Sequence, residues 1–181
     1  AAASVGGSSM AQPVFSLPEI IDRIDSGAWW PGGSVTYSMP SSRPFSGDEG
    51  AGFRQLTGHM KDMAANAFEL WDDVIAVDLN RVGSGGDIFF GMSSTTDGGG
   101  TYCQQQYDTF DGARWVFDSA HVWLNSEWES HDQSSDIAYG SYGFMTYVHE
   151  IGHALGLDHP GDYNGSAEYG SDAVYLQDTH R

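Results

Sequence analysis

The segment from Tyr147 to Pro160 constrains this chain more than any other part of its sequence. It reads YVHEIGHALGLDHP and fits the pattern HExxHxxGxxH at each fixed position. Because each helical residue turns by about 100°, His149 and His153 project from one face of a helix, one turn apart. The spacing therefore predicts a helix that presents two imidazoles to one metal ion.

The rest of the motif predicts how the metal site is completed. Gly156 follows where the chain must leave the helix through a residue that tolerates positive φ, and the turn returns His159 to the same ion. Three histidine nitrogens would hold zinc at about 2.0–2.1 Å and leave a coordination position for water. Glu150, beside the first ligand, is predicted to take a proton from the zinc-activated water that attacks a peptide carbonyl and to pass it to the leaving amine.

Length and composition limit the other classes of function. The 181 residues, 40% of them hydrophobic, are enough for one compact unit with a core, and we expect a flexible N-terminus at 1–12 and one domain over 13–181. The formal charge of -18, from 25 acidic and 7 basic residues, argues against nucleic acid and anionic membranes as partners. The single cysteine, Cys103, excludes an intramolecular disulfide.

Hydrophobic spacing predicts how the chain is organised before the motif. Apolar residues recur at helical intervals from 52 to 74, which predicts a long amphipathic helix. Short segments of strand character lie around it, at 34–39, 76–80 and 87–91, with a pair at 114–117 and 121–125. These elements together predict a sheet with helices packed on it.

The complete motif resembles that of the metzincin metallopeptidases. Pro160 directly after the third histidine, and the continuation through 164, are similar to the serralysins (M10B), which are secreted bacterial proteases. The resemblance covers most of 35–181. It implies an α+β fold: a twisted, mostly parallel five-stranded sheet with one antiparallel edge strand, a long backing helix and an active-site helix. Peptide substrates would lie extended along the edge strand, whose position the sequence does not assign.

The resemblance also implies features that this sequence does not contain. Metzincins place a Met-turn after the third histidine, whereas all six methionines here precede His159. The calcium-binding repeat domain of serralysins is not present either. We therefore expect the N-terminal catalytic portion of such a protein, ending before the Met-turn through proteolysis, autolysis or deliberate shortening. Zn²⁺ is the implied cofactor. Ca²⁺ is a candidate for the full-length protein but is not supported within this chain, because the acidic loop at 108–111 has no calcium-loop pattern.

The sequence is compatible with three functions. The first is a secreted, extracellular zinc endopeptidase of broad specificity that acts on proteins or peptides, with its own cleaved C-terminal portion as a candidate partner. The second is a proteolytic fragment that binds zinc but is inactive without its missing C-terminal part. The third is a binding module in which tryptophans such as Trp29, Trp30 and Trp123 form a glycan or peptide surface. Their scattered placement favours packing over recognition.

Overall fold

A computed structural model describes residues 12–43, 48–94, 100–127, 136–161 and 172–178. They belong to two compact units, the larger covering Ser26–Leu157 and the smaller combining the chain before Ser26 with the chain after Leu157. Residues 1–11 of the expected flexible terminus, and the serralysin-like continuation at 162–164, lie outside the described residues. The single domain over 13–181 stays a prediction.

The larger unit is built on one mixed sheet. Its strands are β1 (Ala28–Trp29), β2 (Ser34–Ser38), β3 (Phe53–Arg54), β4 (Asp78–Val82), β5 (Ile88–Ser93), β6 (Tyr102–Phe110) and β7 (Trp115–Asn125). The five strands longer than two residues follow the order β4-β2-β5-β7-β6, in which the first four are parallel and β6 is antiparallel to β7. The expected five-stranded sheet with one antiparallel edge is therefore confirmed. The two short strands extend it, β1 parallel to β7 and β3 antiparallel to β5.

Two strand predictions differ from the structure. The pair expected at 114–117 and 121–125 is one continuous strand, β7, because Asp118 and Ser119 do not form a turn; Ser119 pairs with Gln106 of β6. The sequence does not assign the position of the antiparallel edge strand, which the structure shows to be β6. Its centre is the glutamine run 104–106, which hides the alternation of apolar and polar residues that usually marks a strand.

The predicted long helix begins later than its apolar pattern suggests. A four-residue helix, α2 (Asp48–Ala51), and strand β3 precede α3, which runs from Gly58 to Asp72. Thr57 caps α3 by accepting a hydrogen bond from the Met60 N–H at 3.2 Å. The prediction from 52 to 57 is therefore wrong, because residues 53 and 54 pair with β5 instead. The core-facing side of α3 is Met60, Met63, Ala64, Ala67 and Phe68.

The helix that carries the motif, α4 (Tyr142–Ala154), is capped by Ser141, whose side chain accepts a hydrogen bond from the Phe144 N–H. Its buried face includes Phe144, Tyr147 and Ile151, and these residues belong to the same core as α3 and the sheet. The Trp71 indole of α3 donates to the Val148 carbonyl at 2.9 Å, and a Cβ on Gly152 would lie only 3.0 Å from the Trp71 ring. Burial and this close approach therefore fix α4 on the core.

The smaller unit contains α1 (Leu17–Ile24) and the last described segment, 172–178. Phe15 stacks on Tyr175 with ring centroids 4.7 Å apart, and the Gln177 side chain makes two hydrogen bonds to the Phe15 backbone. These contacts join segments that are far apart in sequence. None of the described helices combines the length and apolar character that a membrane span needs.

Candidate functional site

His149 and His153 face each other on α4 as the four-residue spacing predicts. Their Nε2 atoms are 3.0 Å apart, and the two rings are nearly perpendicular. Two ligands of a tetrahedral zinc ion, each at about 2.0–2.1 Å, would have nitrogens about 3.3 Å apart. The observed pair is thus arranged almost as a shared metal ion requires.

A hydrogen bond at Nδ1 of His153 determines which of its two ring nitrogens carries the proton. His153 Nδ1 lies 2.8 Å from the Leu157 carbonyl oxygen. Because a carbonyl can only accept, Nδ1 must carry the proton, and in a neutral ring Nε2 then keeps its lone pair. This is the tautomer that coordinates a metal through Nε2, oriented by a backbone group.

The helix ends in the turn that the motif predicts at Gly156. Its φ is +103°, and a Cβ at this position would lie 2.8 Å from the Ala28 carbonyl oxygen, so both the conformation and the space require glycine. The Gly156 N–H donates to the His153 carbonyl and the Leu157 N–H donates to the Gly152 carbonyl. The turn thereby holds Leu157 against the end of the helix, where its carbonyl meets His153.

His159 follows Leu157 by two residues, so covalent geometry alone keeps their Cα atoms within about 7 Å. Its backbone N–H donates to the Asp158 carboxylate at 2.7 Å. His149, His153 and His159 are half-buried, each offers one ligand nitrogen, and these atoms all lie within 4.8 Å of one another. In the part of the chain that the structure describes, this is the group of side chains suited to a metal ion. Three histidine nitrogens are the number of protein ligands found in open, catalytic zinc sites.

Glu150 is buried, with 6% of its surface exposed, although it is an acidic residue. Burial raises the pKa of Glu150 to about 8, while a hydrogen bond from the Cys103 backbone N–H acts in the opposite direction. A carboxyl group in such surroundings can gain and lose a proton near neutral pH. Burial, reinforced by the nearby Glu150, also raises the pKa of the Cys103 thiol, which is packed rather than reactive.

Strand β6 contributes contacts to the site that sequence reasoning missed. Besides Cys103, the Gln105 side chain donates to the carbonyl of His153 at 2.6 Å, and the Tyr107 hydroxyl donates to the Gln105 side-chain oxygen. The contacts of Cys103 with Glu150 and of Gln105 with His153 attach the edge strand to α4. The only signal in the sequence is the β-forming residues at its ends, since the glutamines carry no motif.

The chain belongs to the M10 peptidase family, because the family model described as Matrixin matches residues 53–166, which include Glu150 and the three candidate ligand histidines. Its relatives are serralysin-like. It is 37% identical over 135 residues to the metalloprotease AprA of Pseudomonas entomophila (strain L48), covering 70% of this chain and 26% of the relative. It is 31% identical over 185 residues to Serralysin G of Dickeya chrysanthemi, covering 94% of this chain and 38% of the relative.

The chain therefore spans only about a quarter to two fifths of the length of these curated relatives. The serralysin-like metzincin resemblance of the motif is confirmed, as is the fold that it implies.

Proposed function

We propose that this chain is the catalytic portion of a zinc endopeptidase, with His149, His153 and His159 as metal ligands and Glu150 as the general acid/base. The observation that supports it most is the facing pair of Nε2 atoms, 3.0 Å apart, in which the proton on His153 is held away from the metal position. Membership of the M10 family supports the same chemistry.

The chemistry that zinc supplies when bound is polarisation of the scissile carbonyl and a lowered pKa of water. The other steps belong to the chain itself. Glu150 accepts the proton of the attacking water and delivers it to the nitrogen of the leaving amine. A hydrogen bond from the Cys103 N–H orients the Glu150 carboxylate, and the buried surroundings limit competing water.

Strand β6 is the best candidate for the substrate-binding edge. The Cys103 N–H points to Glu150 and therefore away from β7. Because backbone directions alternate along an antiparallel strand, the N–H and C=O of Gln105 also point to this outer edge. An extended peptide can add here through main-chain hydrogen bonds, which read side chains weakly and give broad specificity.

Secretion is part of the proposal, as is action on protein or peptide substrates. Its support is the likeness to serralysins together with the strongly acidic charge, which favours solubility in salty surroundings outside the cell. Immunodetection of the protein in culture medium, with a cytosolic marker absent from that medium, would test it. Retention inside the cells would contradict it.

The central test combines metal content with hydrolysis. After zinc loading and desalting, mass spectrometry should find about one zinc per chain, and cleavage of a quenched casein substrate should stop with o-phenanthroline. Glu150→Gln should keep the zinc and lose activity at least about 100-fold. Asp118→Asn, which alters an exposed acid elsewhere in the larger unit, is the matched control and should change neither.

Three results would count against the proposal. A chain without zinc would remove the metal assignment, whereas zinc without hydrolysis would favour the inactive zinc-binding fragment. Hydrolysis that survives in Glu150→Gln would show that another group moves the proton.

A further inference from the structure

Three large aromatic side chains are exposed together where β6 turns into β7. Tyr107, Phe110 and Trp115 are 44%, 54% and 49% exposed, and they form what we call the aromatic patch. The Trp115 ring lies 5.9 Å from that of Tyr107 and 5.4 Å from that of Phe110, so the three rings make one continuous surface. Contiguous exposed apolar surface of this kind marks binding sites more often than isolated side chains do.

The aromatic patch is held rigidly. One carboxylate oxygen of Asp111, in the β6–β7 turn, accepts from the N–H groups of Ala113 and Arg114 at 2.8 Å, and the other accepts from the Trp29 indole. Beneath the patch, Tyr107 stacks on the buried Phe117. A surface fixed in this way loses little conformational entropy when a ligand binds.

The aromatic patch begins farther along β6 than the contact with Glu150. Tyr107 is four residues beyond Cys103, which contacts Glu150, and its hydroxyl is bonded to Gln105. Four residues of extended chain span about 13 Å. Register shifts between Gln106 and Tyr107 and again before Thr109 bend the strand at this point. A peptide paired with β6 near Glu150 would therefore meet the aromatic rings about four residues from the reacting bond.

We infer that the aromatic patch is a distal subsite for an aromatic or branched aliphatic side chain of an extended peptide substrate. The preference falls about four residues from the cleaved bond and on one side of it. This inference rests on the proposed function, because the peptide is placed by its reacting bond. A second copy of the chain is a poorer occupant, since each copy carries a formal charge of -18 and the two would repel.

Peptide binding tests the subsite without relying on turnover. Fluorescein-labelled extended peptides with the same central residues carry either Phe-Leu or Ser-Gly about four residues away, on one side or the other. Fluorescence anisotropy with the zinc-loaded Glu150→Gln chain should give a Kd about tenfold lower for one of the two Phe-Leu peptides. Phe110→Ser and, separately, Trp115→Ser should reduce this preference to about twofold or less, while Val74→Ser, which alters an equally apolar exposed residue beyond α3, should leave it unchanged.

Equal affinity for all peptides, or a preference that survives both patch substitutions, would overturn the inference. So would self-association that Phe110→Ser abolishes and that the Phe-Leu peptide does not displace, because the patch would then belong to an interface between copies. If the Glu150→Gln chain discriminates between the peptides but the unsubstituted chain hydrolyses no substrate, the proposed function is contradicted and the subsite is not.

Discussion

Helix α4 and strand β6 approach the candidate site from two sides and are held in different ways. The helix presents a buried face, a capped start and a glycine turn, so its position follows from the core. The strand is half-buried or exposed along its whole length, and a few oriented hydrogen bonds attach it to the helix. The geometry of the candidate metal ligands on α4 thus depends on packing, whereas the position of the edge strand also depends on polar contacts.

The largest expected difference in the free energy of unfolding is between a buried position on α4 and an exposed position on β6. Ile151 is fully buried, so Ile151→Ala should lower the free energy of unfolding by about 3 kcal/mol. Thr109 is exposed on β6, and Thr109→Ala should change it by less than about 0.5 kcal/mol. Urea unfolding followed by circular dichroism measures both. Similar losses of stability at the two positions would show that packing holds the helix and the edge strand equally.

Two glycines with nearly the same φ allow the cost of an unfavourable backbone conformation to be separated from the cost of a steric clash. Gly156→Ala places a Cβ 2.8 Å from the Ala28 carbonyl and should cost about 2–3 kcal/mol. Gly112, in the β6–β7 turn, has φ +101° but nothing within 4 Å of a Cβ, so Gly112→Ala should cost only about 1 kcal/mol. Urea unfolding of the pair decides this, and equal costs would mean that the close approach at Gly156 is unimportant.

Removing the Gln105 contact should affect the metal site more than global stability. Gln105→Ala loses the donor to the His153 carbonyl, which should cost about 1 kcal/mol of unfolding free energy and weaken zinc binding about tenfold. Zinc affinity is measured by competition with a fluorescent chelator. Gln106→Ala on the same strand is the matched control, because no described contact joins its side chain to α4. Unchanged zinc affinity in Gln105→Ala would show that the edge strand does not position the ligand.

The smallest expected effect is a pH dependence at β7. Burial lowers the pKa of His121, and the carboxylates of Glu49 and Asp118 oppose this only partly. The unfolded chain therefore takes up the proton more readily, so the His121 contribution to stability is present above a pH of about 6.5 and is lost as pH falls below it. Melting temperatures of the zinc-saturated chain at several pH values should fall less steeply in His121→Gln. Parallel curves would contradict the prediction.

Much of the fold and most of the candidate site could be predicted from local patterns. The spacing of His149 and His153 on a helix, and the glycine turn at Gly156, depend on residues within one or two turns of each other, so short-range geometry determines them. The start of α3 and the continuity of β7 were predicted wrongly because strand pairing across the sheet decides both. Pairing partners that are distant in sequence leave no mark in a local hydrophobic pattern.

The sequence by itself determined the donor set of the candidate site: three histidines, a neighbouring glutamate and the glycine that lets the chain turn. Only the tertiary structure decided what surrounds them. The Leu157 carbonyl fixes the proton of His153, burial against the core changes the acidity of Glu150, and the unpredicted strand β6 brings Cys103 and Gln105 to the helix. Spacing along one helix is a property of the backbone repeat, whereas desolvation and contacts between strand and helix exist only after distant segments pack together.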